Sequence, residues 1–190
     1  MQAVLRPLAL LACLILHGCM TYSHKTLGPQ PPLDAPSPTK PSVVLQYSAQ
    51  YLYNGKEAPH LAPMVRAKEP MLKALEQSQR FEQVILTPQA ADRYMSVTVT
   101  HHEQGNQFLA FISGFSLMLI PSKADMTVSM DMVFRDADGE VLGTVRSDEQ
   151  LSTWFHLVLL PGFLFSASYD DLIIQLTQHN LAKAQRLDLL

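Results

Sequence analysis

Several stretches of the chain alternate apolar and polar residues with a period of two. In VVLQYSAQYLY, Val43, Leu45, Tyr47, Ala49, Tyr51 and Tyr53 hold the odd positions and mostly polar residues the even ones. That is the pattern of a half-buried strand, and Asn54-Gly55 follows it as a turn signal. In RYMSVTVTHH, Met95, Val97 and Val99 alternate with Ser96, Thr98 and Thr100. The clearest alternation runs through Met126, Val128, Met130, Met132 and Phe134, with Thr127, Ser129 and Asp131 between them. Asp136-Ala137-Asp138-Gly139 then turns the chain, because Asp-Gly supplies a residue that tolerates positive φ, and GEVLGTVRSDEQ returns as the partner strand. A short strand is expected in FEQVILT.

Two segments carry the helical period instead. Between Pro63 and Phe81, and most clearly from Glu69, Met71, Leu72 and Leu75 form an apolar face, and Pro70 is acceptable in a first turn. From Ser168 to the C-terminus, Ile173, Leu176, Leu181 and Ala184 form a broad apolar face interrupted by Asn180. Ser168 is placed to cap this helix, with Asp170 and Asp171 at the positive end of its dipole and Lys183 and Arg186 at the negative end.

Two further segments are apolar without a break. FLAFISGFSLMLIP (108–121) contains no charge, and WFHLVLLPGFLF (154–165) resembles it, each with a proline after a run of aliphatics. Both are too short to cross a bilayer as a helix, which takes about 20 apolar residues. Phe108, Phe111, Ile112, Phe115, Met118 and Leu119 share one helical stripe, although a strand leading into Pro121 is also compatible with the run. Two roles stay open. Either the runs pack together in the core, or they form an apolar contact surface carried by Phe108, Phe111, Phe115, Leu119, Trp154, Leu159 and Phe163.

The order β-α-β-β-β-β-α predicts an α+β fold over residues 43–190. The expectation is a single domain with an antiparallel sheet of about four to six strands and two helices packed on it. This layout resembles the small α+β periplasmic domains of envelope lipoproteins, an architectural likeness that carries no function.

The N-terminus changes the picture. Arg6 is the sole charge before His17, PLALLACLIL is an apolar core, and His17-Gly18-Cys19 follows. This is the layout of a secretory signal. Leu16-His17-Gly18-Cys19 resembles the lipobox of bacterial lipoproteins, with an aliphatic residue at −3, a small one at −1 and the obligate cysteine. The rival Leu10-Leu11-Ala12-Cys13 would leave six residues after Arg6, too short an apolar core. The resemblance implies that residues 1–18 are removed, that Cys19 is diacylglyceryl-modified and acylated, and that the chain is anchored without spanning. Met20, in place of an Asp that favours inner-membrane retention, implies the periplasmic face of the outer membrane. Residues 20–42 are rich in Pro, Ser and Thr and read, with the lipidated Cys19, as a semi-rigid tether.

Composition then narrows the chemistry. Removal of residues 1–18 takes Arg6 from the 14 basic residues and leaves 13 against 17 acidic ones, a formal charge of −4. With no basic cluster, this argues against a nucleic-acid partner. Cys13 leaves with the signal and Cys19 carries lipid, so no thiol remains for a disulfide, a metal or a nucleophile. His101-His102-Glu103 has metal-ligand residue types, but neighbours on a strand point to opposite faces. Asp136-Ala137-Asp138-Gly139 resembles the opening of a calcium loop, yet position twelve is Ser147 and its flanks are strands. No Gly-x-Ser-x-Gly elbow or phosphate loop occurs. The reading is a non-catalytic accessory or binding module of the cell envelope, with no cofactor or metal. Its partners are the membrane through Cys19 and an envelope protein complex or lipid. A hydrophobic-ligand carrier is the second reading, and an envelope hydrolase the third.

Overall fold

The computed structural model describes residues 19–29, 39–156, 159 and 167–190. The expected signal segment 1–18, the middle of the proline-rich stretch and most of the second apolar run, Phe163 included, lie outside the described residues. In chain order the elements are β1 (Cys19–Ser23), β2 (Ser42–Tyr53), β3 (Lys56–Glu57), a 3-10 helix (Pro59–Met64), α1 (Lys68–Gln77), β4 (Gln83–Ile85) and β5 (Arg93–Gly105). There follow α2 (Gln107–Phe115), β6 (Ser122–Arg135), β7 (Val141–Phe155) and α3 (Tyr169–Arg186).

The strands form one seven-stranded sheet in the order β1-β7-β6-β5-β2-β3, with β4 also paired to β2. The fold is α+β, but the sheet is mixed rather than antiparallel. β2 runs parallel to β5, from Val43 opposite Arg93 to Tyr53 opposite Glu103, and parallel to β4 as well. The reason lies in the connection. From β2 the chain passes through the 3-10 helix and α1 before β5, and a helical crossover returns the chain in the same direction. The strand count exceeds the expected four to six because two short strands and β1 join the sheet. Instead of two helices the described residues carry three α-helices and the 3-10 helix.

Alternation along the strands becomes a two-faced sheet. On one face Leu45, Met95, Val97, Val99, Val128, Met130, Met132, Phe134 and Val145 are buried. Met71 and Leu75 of α1 and Ile173, Leu176, Leu181 and Ala184 of α3 belong to the same core. Each such side chain contributes roughly 1.5–3 kcal/mol on full burial. The other face is polar and hydrogen-bonded across strands, as in Ser48 to Thr98 at 2.8 Å and Ser96 donating to Gln46 at 3.3 Å.

Turn and cap chemistry follows the residues expected. The Ser168 hydroxyl accepts from the Asp171 amide at 3.3 Å. Asp136 Oδ1 accepts from the amides of Asp138 and Glu140, and Gly139 takes φ +88°. Asn180 does not mar the core face of α3. It is fully buried and donates from Nδ2 to the Met130 carbonyl at 2.9 Å.

Residues 19–29 differ from the expected tether. Cys19–Ser23 is paired antiparallel with β7, Cys19 opposite Phe155 and Ser23 opposite Leu151. The segment after it is held by Glu149. One carboxylate oxygen accepts from the Ser23 hydroxyl at 2.9 Å and the Thr26 amide at 3.1 Å, and the other from the Leu27 amide at 2.9 Å.

Candidate functional site

The first apolar run becomes a helix and a tight turn projecting from one end of the sheet, between the end of β5 and the start of β6. Asn106 caps α2, its Oδ1 accepting from the Leu109 amide at 3.1 Å. Only Ser113 of α2 is buried. Phe108, Phe111 and Phe115 are 72%, 70% and 85% exposed, and Leu117 and Leu119 of the turn 74% and 64%. The rings of Phe111 and Phe115 stack with centroids 6.4 Å apart. The core reading is thus overturned for this run. A single helical turn of separation aligns the aromatic rings, but the sheet end gives them nothing to pack on.

The turn is also strained. Leu117 and Met118 take φ +53° and +61°, a left-handed conformation that costs a non-glycine residue about 1–2 kcal/mol. The Met118 amide donating to the Ser113 carbonyl at 2.7 Å, and the Ile120 amide donating to Ser116 Oγ at 3.1 Å, hold it there. This strained turn presents Leu117 to solvent.

The register places the chain's other notable features at this same end. Cys19 is opposite Phe155, and Phe155 is opposite Ser122, the first residue after the turn. The second apolar run leaves β7 from Phe155. Of its residues, Trp154 is 39% exposed, and Leu159 is half-buried. Trp154 and Leu159 meet in a shallow groove of about 440 Å³ with Met20, Tyr22, Pro121 and His156. Lys123 Nζ lies 5.9 Å from the Trp154 ring centre and 2.8 Å from Asp125 Oδ1. Met20, Tyr22 and Leu117 also lie at this end, none of them marked by the sequence as part of the apolar surface. The alternation Met20-Thr21-Tyr22 was the available signal for the first two, obscured by the proline-rich residues after it.

Other polar clusters are structural in geometry. His101 is buried, its Nε2 2.7 Å from the Tyr169 hydroxyl, and burial pushes its pKa down to about 4. His102 points to the opposite face of β5, as alternation requires. Tyr51 donates to Glu103; burial, foremost, and this neighbouring carboxylate push its hydroxyl pKa up. Among the described residues no three His, Cys, Asp or Glu side chains converge as metal ligands.

Ser152 is fully buried, donates to Asp125, and shares a 2.9 Å hydrogen bond with His24 Nε2. The serine therefore stands between carboxylate and imidazole, whereas a nucleophilic triad places the imidazole in the middle. Partial burial raises the pKa of Asp125, but the bonds from Lys123 and Ser152 outweigh it and hold the carboxyl below its ordinary range.

Among the described residues no helix is long and apolar enough to cross a membrane. No family model matches the chain, and no curated protein matches it. Among solved structures it is similar to a DUF330-family protein of Xanthomonas campestris, at 12% identity and a TM-score of 0.40, covering 80% of this chain and 91% of that one. A minor lipoprotein of Acinetobacter baumannii matches at 10% identity and 0.40, covering 78% and 89%. A Helicobacter pylori protein described as a homologue of a neuraminyllactose-binding haemagglutinin matches at 10% and 0.40, covering 84% and 87%. Likenesses of this degree carry no argument about what this chain does.

Proposed function

We propose that the chain is a lipid-anchored lipoprotein of the bacterial envelope, acting as a non-catalytic accessory or binding module. Cys19 is the acylated residue, residues 1–18 are the removed signal, and the anchor lies on the periplasmic face of the outer membrane. The observation that carries the reading is an uncharged apolar surface, Phe108 to Ile120, exposed at the sheet end where Cys19 begins β1. The lipobox-like Leu16-His17-Gly18-Cys19 supports the anchor, and the exposed rings support a contact role. Phe108, Phe111, Phe115, Leu119, Trp154 and Leu159 are the contact residues.

Metabolic labelling with a clickable palmitate tests the anchor. Wild type incorporates label and fractionates with outer membrane, while Cys19→Ala loses the label and enters the soluble periplasmic fraction. Label retained by Cys19→Ala refutes the site. A carrier role is the second reading, favoured by the groove of about 440 Å³ beside Trp154. Mass spectrometry of the purified chain would then find a stoichiometric non-covalent lipid.

A further inference from the structure

We infer that α2 and the turn after it insert into the same bilayer leaflet that holds the acyl chains of Cys19, so that the domain lies flush on the membrane instead of being held off it. The inference rests on the reading of Cys19 as the acylated residue and specifies what the contact surface contacts.

The geometry begins with the absence of a spacer. Cys19 is itself the first residue of β1 and is paired with Phe155, so an anchor on Cys19 draws the end of the sheet to the interface. Ser122 lies two strands from Cys19 in the same row. At a strand spacing near 4.8 Å, that puts the base of the apolar turn about 10 Å from the anchor. A helix of nine residues is about 13 Å long, and an interfacial helix sinks about 5–10 Å into the headgroup boundary. The exposed side chains of α2 therefore reach hydrocarbon without any change of fold.

The chemistry agrees with an inserted tip. No residue from Phe108 to Pro121 is charged, so no ionic group has to be desolvated. Phe108, Phe111, Phe115, Leu117 and Leu119 are all exposed on this projection. Behind it sit Trp154 and Tyr22, both part-exposed, with the Lys123 ammonium beside Trp154. Aromatic rings with a polar edge, and a lysine, are the residues that settle at the boundary between hydrocarbon and water. A protein partner or a second copy would have to displace a hydrocarbon phase that the anchor keeps within about 10 Å of the same surface.

Trp154 is the only tryptophan of the chain and serves as the reporter. The full-length chain, processed in a bacterial host, is reconstituted into phosphatidylcholine vesicles whose acyl chains are brominated near the glycerol end. Trp154 of the wild type is expected to be quenched. The double variant Phe111→Asp/Phe115→Asp is expected to stay vesicle-bound through its lipid while its quenching falls well below that of the wild type. Phe111→Gln/Phe115→Gln, which introduces no charge, repeats the result, and unchanged far-ultraviolet circular dichroism establishes that the variants fold. Equal quenching in wild type and variants overturns the inference. So does an acylated wild type without quenching, or a dimer on the vesicles in which the rings are covered by a second copy.

If the chain is recovered without lipid, the anchor reading falls, and insertion is judged separately by flotation of that unlipidated chain with the same vesicles. A loss of partitioning on the order of 100-fold in the double variant, as expected for two aromatic side chains, upholds it. No flotation of the unlipidated wild type overturns it.

Discussion

His101 shows how a single buried side chain makes the fold sensitive to pH. Its ring lies in the core against Tyr169, and burial lowers its pKa from 6.5 to about 4. Between these values the unfolded chain binds a proton that the folded one refuses, so stability rises with pH. The contribution is complete above about pH 6.5 and falls away as pH drops towards 4, by roughly 3 kcal/mol over the whole interval. Urea melts at pH 7.5, 5.5 and 4.5 are expected to show this decline, and His101→Phe is expected to flatten it. Asn180 makes a second prediction at this scale. Replacement by Ala removes the bond to the Met130 carbonyl inside the core and is expected to cost about 1–3 kcal/mol in the same melts. Residue type alone marked Asn180 as an anomaly on an apolar helix face, whereas His101 stood out only within a cluster of metal-ligand residue types. Neither residue disclosed its partner, because Tyr169 and Met130 are brought there by the tertiary fold.

Among the elements, β5 and β6 were legible because one face of each is buried along most of its length, which imposes a strict period of two. The direction of β2 was not legible, since a period of two is the same in parallel and antiparallel pairs. The helical stripe of 108–119 was visible too, but an apolar stripe reads alike whether a core or a bilayer covers it. β1 was illegible for another reason. It is five residues long, stands next to proline-rich chain, and pairs with residues more than a hundred positions away. The Glu149 carboxylate holds its last residue and the segment after it. Burial raises the pKa of that group, but bonds from Leu27, Ser23 and Thr26 outweigh it and leave it below its ordinary value of 4.5. A depressed carboxylate pKa stabilises the fold fully above the unfolded value and stops doing so as pH falls through the folded one. Protection of the Thr26 and Leu27 amides, taken relative to their intrinsic exchange at each pH, is therefore expected to fall below about pH 4.5, and to be low already at pH 7 in Glu149→Ala. The remainder of the sheet stays protected in that variant. Equal loss of protection in β5 and β6 would show that β1 does not open separately.

At the scale of the molecule, the sheet has one face buried under helices and one end that carries exposed apolar side chains. Core and tip respond differently to truncation. Met130→Ala is expected to lower stability by about 2–5 kcal/mol, whereas Phe115→Ala changes it by no more than about 0.5 kcal/mol, as read by thermal or urea unfolding. A large loss from Phe115→Ala would mean that α2 is part of the core after all. The pairing of Cys19 with Phe155 also bears on the order in which the protein is assembled. The chain is synthesised from its N-terminus, so the strand Cys19–Ser23 exists long before β7, its partner in the sheet among the described residues. Closing so long a loop is entropically costly and belongs late in folding. On the proposed anchoring, the cysteine is already fixed in lipid while it waits. The final strand is then zipped up from the membrane side, and the bilayer serves as the bench on which the domain is finished.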